Sequence, residues 1–250
     1  MKAERLAELA HSRRSLLCVG LDPAPDALPA HHRWQITWLK GYLSEVIQAA
    51  LPYAIGFKFN SAFYEQWGAE GWKLLKALRT QIPEDYLVIL DGKRGDIAHT
   101  NQAYARAFYE ELGFTGITAH PYLGWESLRP FYEVVDRWVF VLLRTTEAPK
   151  WQKMLWQTII SEKPRGTPAV IGWVWGAHHA EELRELRKVE KESWLLIPGL
   201  GAQGADLPVD LPVYPALIAV SRSILRDPGT LPHWQQKTAL YLPSSPKKPA

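Results

Sequence analysis

A (β/α)8 barrel of the TIM type, an α/β fold in a single domain, is what this sequence predicts. Three observations predict it. Eight short apolar runs recur at a fairly regular interval along 250 residues. Most are continuously apolar instead of alternating, as expected of parallel strands covered on both faces. Amphipathic helical stretches lie between them, and eight β–α units in about 250 residues is the size and rhythm of such a barrel. A doubly wound open sheet is the alternative, but it rarely needs eight strands of such uniformity.

The elements follow in chain order. Residues 1–14 are charged and helix-like, and they lack the apolar segment and small-residue cleavage site of a signal peptide. The first strand is expected over 16–22. It contains Cys18, the only cysteine, which can form no intrachain disulfide and fits as a small core residue. A helix over 35–50, stopped by Pro52, leads to a second strand over 54–60. A helix over 70–81, stopped by Pro83, leads to a third over 87–93. A helix over 101–112, followed by Gly113, leads to a fourth over 116–121, with the fifth over 138–145. Residues 147–167, the longest link between strands, have room for a helix or a mobile lid. The sixth strand is expected over 169–174, a helix over 180–190, and the last two strands over 194–198 and 216–221. No domain boundary is visible, so residues 1–242 read as one catalytic barrel. The polar, Pro-rich 243–250, PSSPKKPA, reads as a disordered tail.

Composition narrows the function. The net charge of +3 and pI near 8.9 are too small and too evenly spread an excess to argue for nucleic acid, though they suit small anionic substrates. Twelve tryptophans are many for this length, and helix-on-barrel packing explains them better than base stacking; Trp173 and Trp175 alternate and so share a face. No apolar run approaches the roughly 20 residues of a membrane span. A soluble, cytoplasmic protein is expected.

The chemistry concentrates in Asp91-Gly92-Lys93-Arg94-Gly95-Asp96-Ile97, at the end of the apolar run of the third strand. In a strand, residues 91 and 93 point to the same side, which brings Asp91 and Lys93 into contact, with Asp96 following in the loop. Holding such charges beside a core is costly unless they pair with each other or with a substrate, and such networks are the raw material of proton transfer. In this fold the active site lies at the C-terminal ends of the strands. Polar residues collect there: Asp22, Lys58, Asn60, Asp91, Lys93, His120, Thr145, Thr146, Gln203 and Arg222.

Residues 198–204, PGLGAQG, match the G-x-G-x-x-G dinucleotide fingerprint. That fingerprint must open a helix, and the following ADLPVDLP, with two prolines, cannot be a regular one. A Gly-rich loop whose backbone N–H groups meet a monophosphate is the better reading, with Arg222 clamping the same phosphate as a charged fork. No metal set is expected. His178-His179 lie at a predicted helix start with side chains pointing apart, and no Cys–His pairing has zinc-like spacing.

With GLDPAPDALP, FKFNSAFYE, LDGKRGDIAHTNQAYA, AHPYLGWESLRPF, LLRTTEAP, PGLGAQGAD and SRSIL in view, the chain resembles the orotidine 5'-phosphate decarboxylase family, in its longer bacterial subgroup, over about residues 16–225. The resemblance implies decarboxylation of orotidine 5'-monophosphate to uridine 5'-monophosphate, the last step of de novo pyrimidine nucleotide synthesis, without metal or cofactor. It implies that Lys58, Asp91, Lys93 and Asp96 form an alternating charged array around C6 of the pyrimidine, with Lys93 the proton donor. Asp22 and Lys58 would bind the ribose hydroxyls, Thr146 the pyrimidine, and Gln203 and Arg222 the phosphate. An obligate homodimer is implied, with Asp96 and Thr100 reaching into the partner's site. Thr146 stands where the family usually has serine, Phe59 where it often has proline, and His120 where the subgroup commonly has asparagine. None of these removes a charged group. The rival readings are a Mg2+-dependent 3-keto-hexulonate 6-phosphate decarboxylase sharing the D-x-K-x-x-D motif, a non-catalytic phosphate-binding barrel, and, weakest, a nucleic-acid-binding module.

Overall fold

A computed structural model describes residues 1–32, 35–147, 149–200 and 207–243. Eight parallel strands pair in chain order and the last closes on the first. They are β1 (Leu17–Gly20), β2 (Gly56–Asn60), β3 (Leu87–Arg94), β4 (Gly116–Ala119), β5 (Trp138–Arg144), β6 (Val170–Trp175), β7 (Leu195–Pro198) and β8 (Ala216–Val220). The helices are α1 (Ala3–Arg13), α2 (Ile36–Ala50), α3 (Ala62–Glu65), α4 (Gly68–Arg79), α5 (Ala98–Ala105), α6 (Trp125–Tyr132), α7 (Lys150–Ser161), α8 (Leu183–Val189), α9 (Arg222–Arg226) and α10 (Leu231–Ala239). The barrel and all eight expected strands are present.

Strands form where the chain can be covered on both faces. Every residue of β1, β4 and β8 is buried, and that is why they read as unbroken apolar runs. The helices bury one stripe each. In α2 the buried residues are Leu39, Leu43, Val46, Ile47 and Ala50, a spacing that keeps one face on the barrel until Pro52 ends the helix. Each leucine so buried contributes roughly 1.5–3 kcal/mol relative to exposure.

Among the described residues seven tryptophans, Trp125, Trp138, Trp156, Trp173, Trp175, Trp194 and Trp234, are buried. Three edge-to-face pairs join six of them: Trp125 of α6 with Trp173 of β6, Trp156 of α7 with Trp175 of β6, and Trp138 of β5 with Trp194. The first two wedge a helix against a strand, so the tryptophan content serves packing, worth about 0.5–1.5 kcal/mol per pair beyond area burial.

The ladders of β1, β4, β5 and β8 stop one or two residues before the expected ends, where the strands splay into loops, whereas β3 and β6 run one residue further, to Arg94 and Trp175. β1 ends at Gly20, so Asp22 lies in the loop beyond it; β5 ends at Arg144, leaving Thr145 outside; Arg222 opens α9 instead of ending β8. The helix expected over 101–112 starts earlier, as α5, and finishes in a π-helical turn, Arg106–Glu111. The helix expected over 180–190 begins as a 3-10 turn, Ala177–Glu182, broken at His179, and becomes α8. Residues 147–167 carry α7. The tail over 243–250, beyond Pro243, lies outside the described residues, as does Gln203.

Candidate active site

The loop ends of β1, β2 and β3 converge on one line of charge. Leu21 N–H donates to the Lys58 carbonyl at 2.8 Å and the Tyr64 hydroxyl to the Leu21 carbonyl at 2.7 Å, which pins the segment carrying Asp22. Asp22 accepts from Lys58 Nζ at 2.9 Å and from the Asn60 amide at 2.8 Å. Lys58 Nζ lies 3.2 Å from Asp91 Oδ2, and Lys93 Nζ donates to Asp91 Oδ1 at 2.7 Å. The result is an unbroken series Asp22–Lys58–Asp91–Lys93 of alternating sign.

The four groups differ in environment. The Lys58 side chain is 6% exposed and that of Asp91 11%, whereas Lys93 is 44% exposed and faces the opening. Burial works against the Lys58 ammonium, but Asp22 and then Asp91 outweigh it and hold its pKa above the ordinary lysine value. Burial likewise works against the Asp91 carboxylate. Lys58, Lys93 and the Thr118 hydroxyl overcome it and hold Asp91 far below the usual carboxylate range. Both therefore stay charged at neutral pH. Cys18 lies beneath them, and burial pushes its thiol up to about 12, so it is chemically inert packing.

Simple alternation is not what joins Asp91 to Lys93. The β3–β4 register shifts between Leu90 and Arg94, and Lys93 has φ +47°. A left-handed lysine is strained by about 1–3 kcal/mol, and such strain persists only where surroundings impose it. Thr118 of β4 imposes it. Its hydroxyl oxygen accepts from the Lys93 amide at 2.9 Å and donates to Asp91 Oδ1 at 2.8 Å. Thr118 is 1% exposed, and the residue reading missed it because a β-branched residue in an apolar strand needs no explanation.

These residues open onto a cavity of ≈ 610 Å³ whose wall also includes Asp26, Thr145, Thr146, Pro198, Gly199, Ser221 and Arg222. That volume suits a small ligand. Arg222 lies 3.7 Å from Asp26 Oδ2, at the side of the cavity formed by the ends of β7 and β8. Of the expected site residues the fold thus gathers Asp22, Lys58, Asp91, Lys93, Thr146 and Arg222. Asp96 and Thr100 are not among those lining the cavity. Asp96 makes no ion pair among the described residues. Its amide and carbonyl are instead clamped by Asn101, at 3.1 and 2.7 Å, and Asn101 also donates to the Ser127 carbonyl at 2.7 Å. Asn101 is fully buried and, like Thr118, has no signal in the residue pattern. Among the described residues no group of three His, Cys, Asp or Glu side chains could hold a metal ion.

The family model for orotidine 5'-phosphate decarboxylase / HUMPS matches residues 15–229. An orotidine 5'-phosphate decarboxylase of Dehalococcoides mccartyi is 42% identical over 217 residues, covering 82% of this chain and 78% of the relative. One of Herpetosiphon aurantiacus is 37% identical over 247 residues, covering 92% and 91%. Among solved structures, an OMP decarboxylase of Leishmania donovani superposes with a TM-score of 0.72 at 30% identity, over 94% of each chain.

Proposed function

The chain belongs to the orotidine 5'-phosphate decarboxylase / HUMPS family, and from that premise we propose how its residues act. It is a carboxy-lyase that converts orotidine 5'-monophosphate to uridine 5'-monophosphate and CO2 in pyrimidine biosynthesis. One observation carries the assignment of roles: an exposed ammonium, Lys93, held on a buried carboxylate that a second, buried lysine shares.

The reaction breaks the C6–carboxylate bond at a vinylic carbon with no conventional electron sink. The electron pair stays on C6 and needs a nearby positive charge and a prompt proton. Lys93 Nζ supplies both: its ammonium stabilises the developing carbanion, then gives the proton that becomes C6–H. Being partly exposed, the neutral amine regains its proton from water. Asp91 fixes Lys93 and crowds the departing carboxylate. Asp22 and Lys58 meet the ribose hydroxyls, Thr146 the pyrimidine, Arg222 and Gln203 the phosphate. Phosphate binding is remote from the bond that breaks, so its energy can order the site around the reacting carbon. No step calls for a metal or cofactor. In the HUMPS alternative, turnover would depend on Mg2+. Steady-state turnover of orotidine 5'-monophosphate in excess chelator, with no turnover of the 3-keto-hexulonate 6-phosphate, is expected; the reverse pattern contradicts this reading.

Arg222→Ala should weaken binding of orotidine 5'-monophosphate about ten- to hundred-fold, the loss of a charge-assisted contact, and leave orotidine nearly unaffected. Equal effects on both ligands would show that Arg222 does not hold the phosphate.

We infer further that two copies of residues 1–242, each one catalytic domain, form a homodimer. Asp96 and Thr100 lie away from their own chain's cavity, Asp96 on a loop clamped by Asn101 and Thr100 in the first turn of α5. Ile97 follows Asp96, and Tyr122 and Leu123 lie on the loop after β4 whose His120 packs on Gly95; they are exposed by 62%, 84% and 48%, apolar surface suited to burial against a second copy. Mixing inactive Asp96→Ala with inactive Lys93→Ala should restore activity, because each mixed dimer regains one intact site. Equimolar mixing gives about a quarter of the wild-type sites. No recovery on mixing under exchanging conditions would place Asp96 in its own chain's site. No helix among the described residues is long and apolar enough to cross a membrane, and the cytoplasm, where nucleotide synthesis draws its substrates, is the proposed location.

A further inference from the structure

We propose that His179 is a positioning residue for the base-binding wall of the site: its neutral form, with the proton on Nε2, holds the Thr145 carbonyl and so sets where Thr146 meets the pyrimidine. This rests on the assignment of Thr146 to the pyrimidine above.

The Thr145–Thr146 segment follows β5 with no ladder of its own, and three neighbours fix it. Gln152 of α7 accepts from the Thr145 amide at 2.9 Å and donates to its hydroxyl at 3.1 Å. Gly176, just past β6, packs so closely that a Cβ there would lie 3.0 Å from the Thr146 nitrogen. His179 Nε2 is 3.0 Å from the Thr145 carbonyl. His179 sits at the break in the 3-10 turn, with φ −109° and ψ 31°, and its own carbonyl accepts from Trp175 Nε1 at 3.0 Å. That break turns His179 inward while His178 stays exposed.

The tautomer follows from the partners. Arg144 NH2 lies 3.2 Å from His179 Nδ1. A guanidinium has only donors, so Nδ1 must accept, and the proton belongs on Nε2, where the Thr145 carbonyl receives it. Arg144 is itself buried and held by Glu182 at 3.1 Å, which Lys153 of α7 also approaches at 3.5 Å. The charged and titratable groups around the ring are therefore Arg144, Glu182, Lys153 and His178. A second proton, on Nδ1, would point at the guanidinium and break the arrangement. Burial, then Arg144, keep the His179 pKa below its ordinary value. The lock is thus present at neutral pH and lost as pH falls through that lowered value.

The test measures, by calorimetry, the affinities for uridine 5'-monophosphate and ribose 5-phosphate, whose ratio isolates the base and cancels the titration of the shared phosphate. In the wild type the ratio should be constant near neutral pH and fall on acidification. In His179→Ala it should be about three- to ten-fold lower at neutral pH and flat with pH, the loss of one hydrogen bond, with ribose 5-phosphate binding unchanged. His179→Gln keeps a donor and an acceptor but gains no proton, so it should retain most of the ratio and lose its pH dependence. Three results overturn the proposal: a wild-type ratio in His179→Ala, an equal weakening of both ligands, or a pH response surviving in His179→Gln. A wild type that binds the two ligands equally at every pH would instead remove the underlying base-site assignment, and this inference with it.

Discussion

Lys93→Ala should lower the decarboxylation rate at least about ten-thousand-fold while leaving the barrel folded and uridine 5'-monophosphate bound. Removing a positioned proton donor costs about a hundred- to ten-thousand-fold, and removing a preorganised charge at a developing anion costs about a hundred- to a thousand-fold. Lys93 carries both roles, so truncating it forfeits both, and the two lower bounds together give about ten-thousand-fold. Its side chain is 44% exposed and anchors no other element, so truncation opens no core cavity. Relief of the left-handed φ at residue 93 would follow only if the Thr118 clamp on its amide let go, and alanine keeps that amide. Rate assays beside thermal unfolding and product binding check the prediction. A variant with normal turnover contradicts it, and one that unfolds shows a structural role instead.

Asp91→Ala should destabilise the fold by about 3 kcal/mol, besides abolishing turnover. Removing one partner of a buried ion pair costs about 3–5 kcal/mol because the other charge is left uncompensated. The lower end applies here, since Lys58 keeps Asp22 at 2.9 Å. The pH dependence follows from the direction of each shift. Asp91 is held below the carboxylate range, so its contribution is present above the unfolded value of about 3.9 and is lost as pH falls through the lower folded value. Lys58 is held above the lysine range, so its contribution is present below about 10.4 and is lost as pH rises through the higher folded value. The stability gap between wild type and Asp91→Ala should therefore be widest across the neutral range and narrow at both extremes. Denaturant unfolding at a series of pH values measures it, and a gap independent of pH would mean that the charges contribute little.

The barrel was legible because parallel strands covered on both faces must be largely apolar, and most of the eight advertise this. The quartet was half legible. A carboxylate and a lysine two residues apart at a strand end point to contact, and Asp91 and Lys93 make it, yet they do so across a register shift with Lys93 left-handed, which only the opposing Thr118 explains. Residues whose role depends on a distant partner carry no local signal. Thr118 looks like strand, Asn101 like an ordinary helix residue, and Gln152 and His179 meet Thr145 only because α7 and the turn after β6 fold over the same loop. His178 and His179 are indistinguishable as letters, and a backbone kink separates them. The roles of Asp96 and Thr100 came from family resemblance alone, since a single chain keeps them away from its own cavity.

The most direct test of the central claim is the fate of orotidine 5'-monophosphate given to the purified protein in D2O with excess EDTA. Loss of the orotate chromophore, formation of uridine 5'-monophosphate with one deuterium at C6, and neither change with Lys93→Ala are the predicted results. Turnover that requires added Mg2+, or that persists without the Lys93 ammonium, would contradict a lysine-driven, metal-independent decarboxylation.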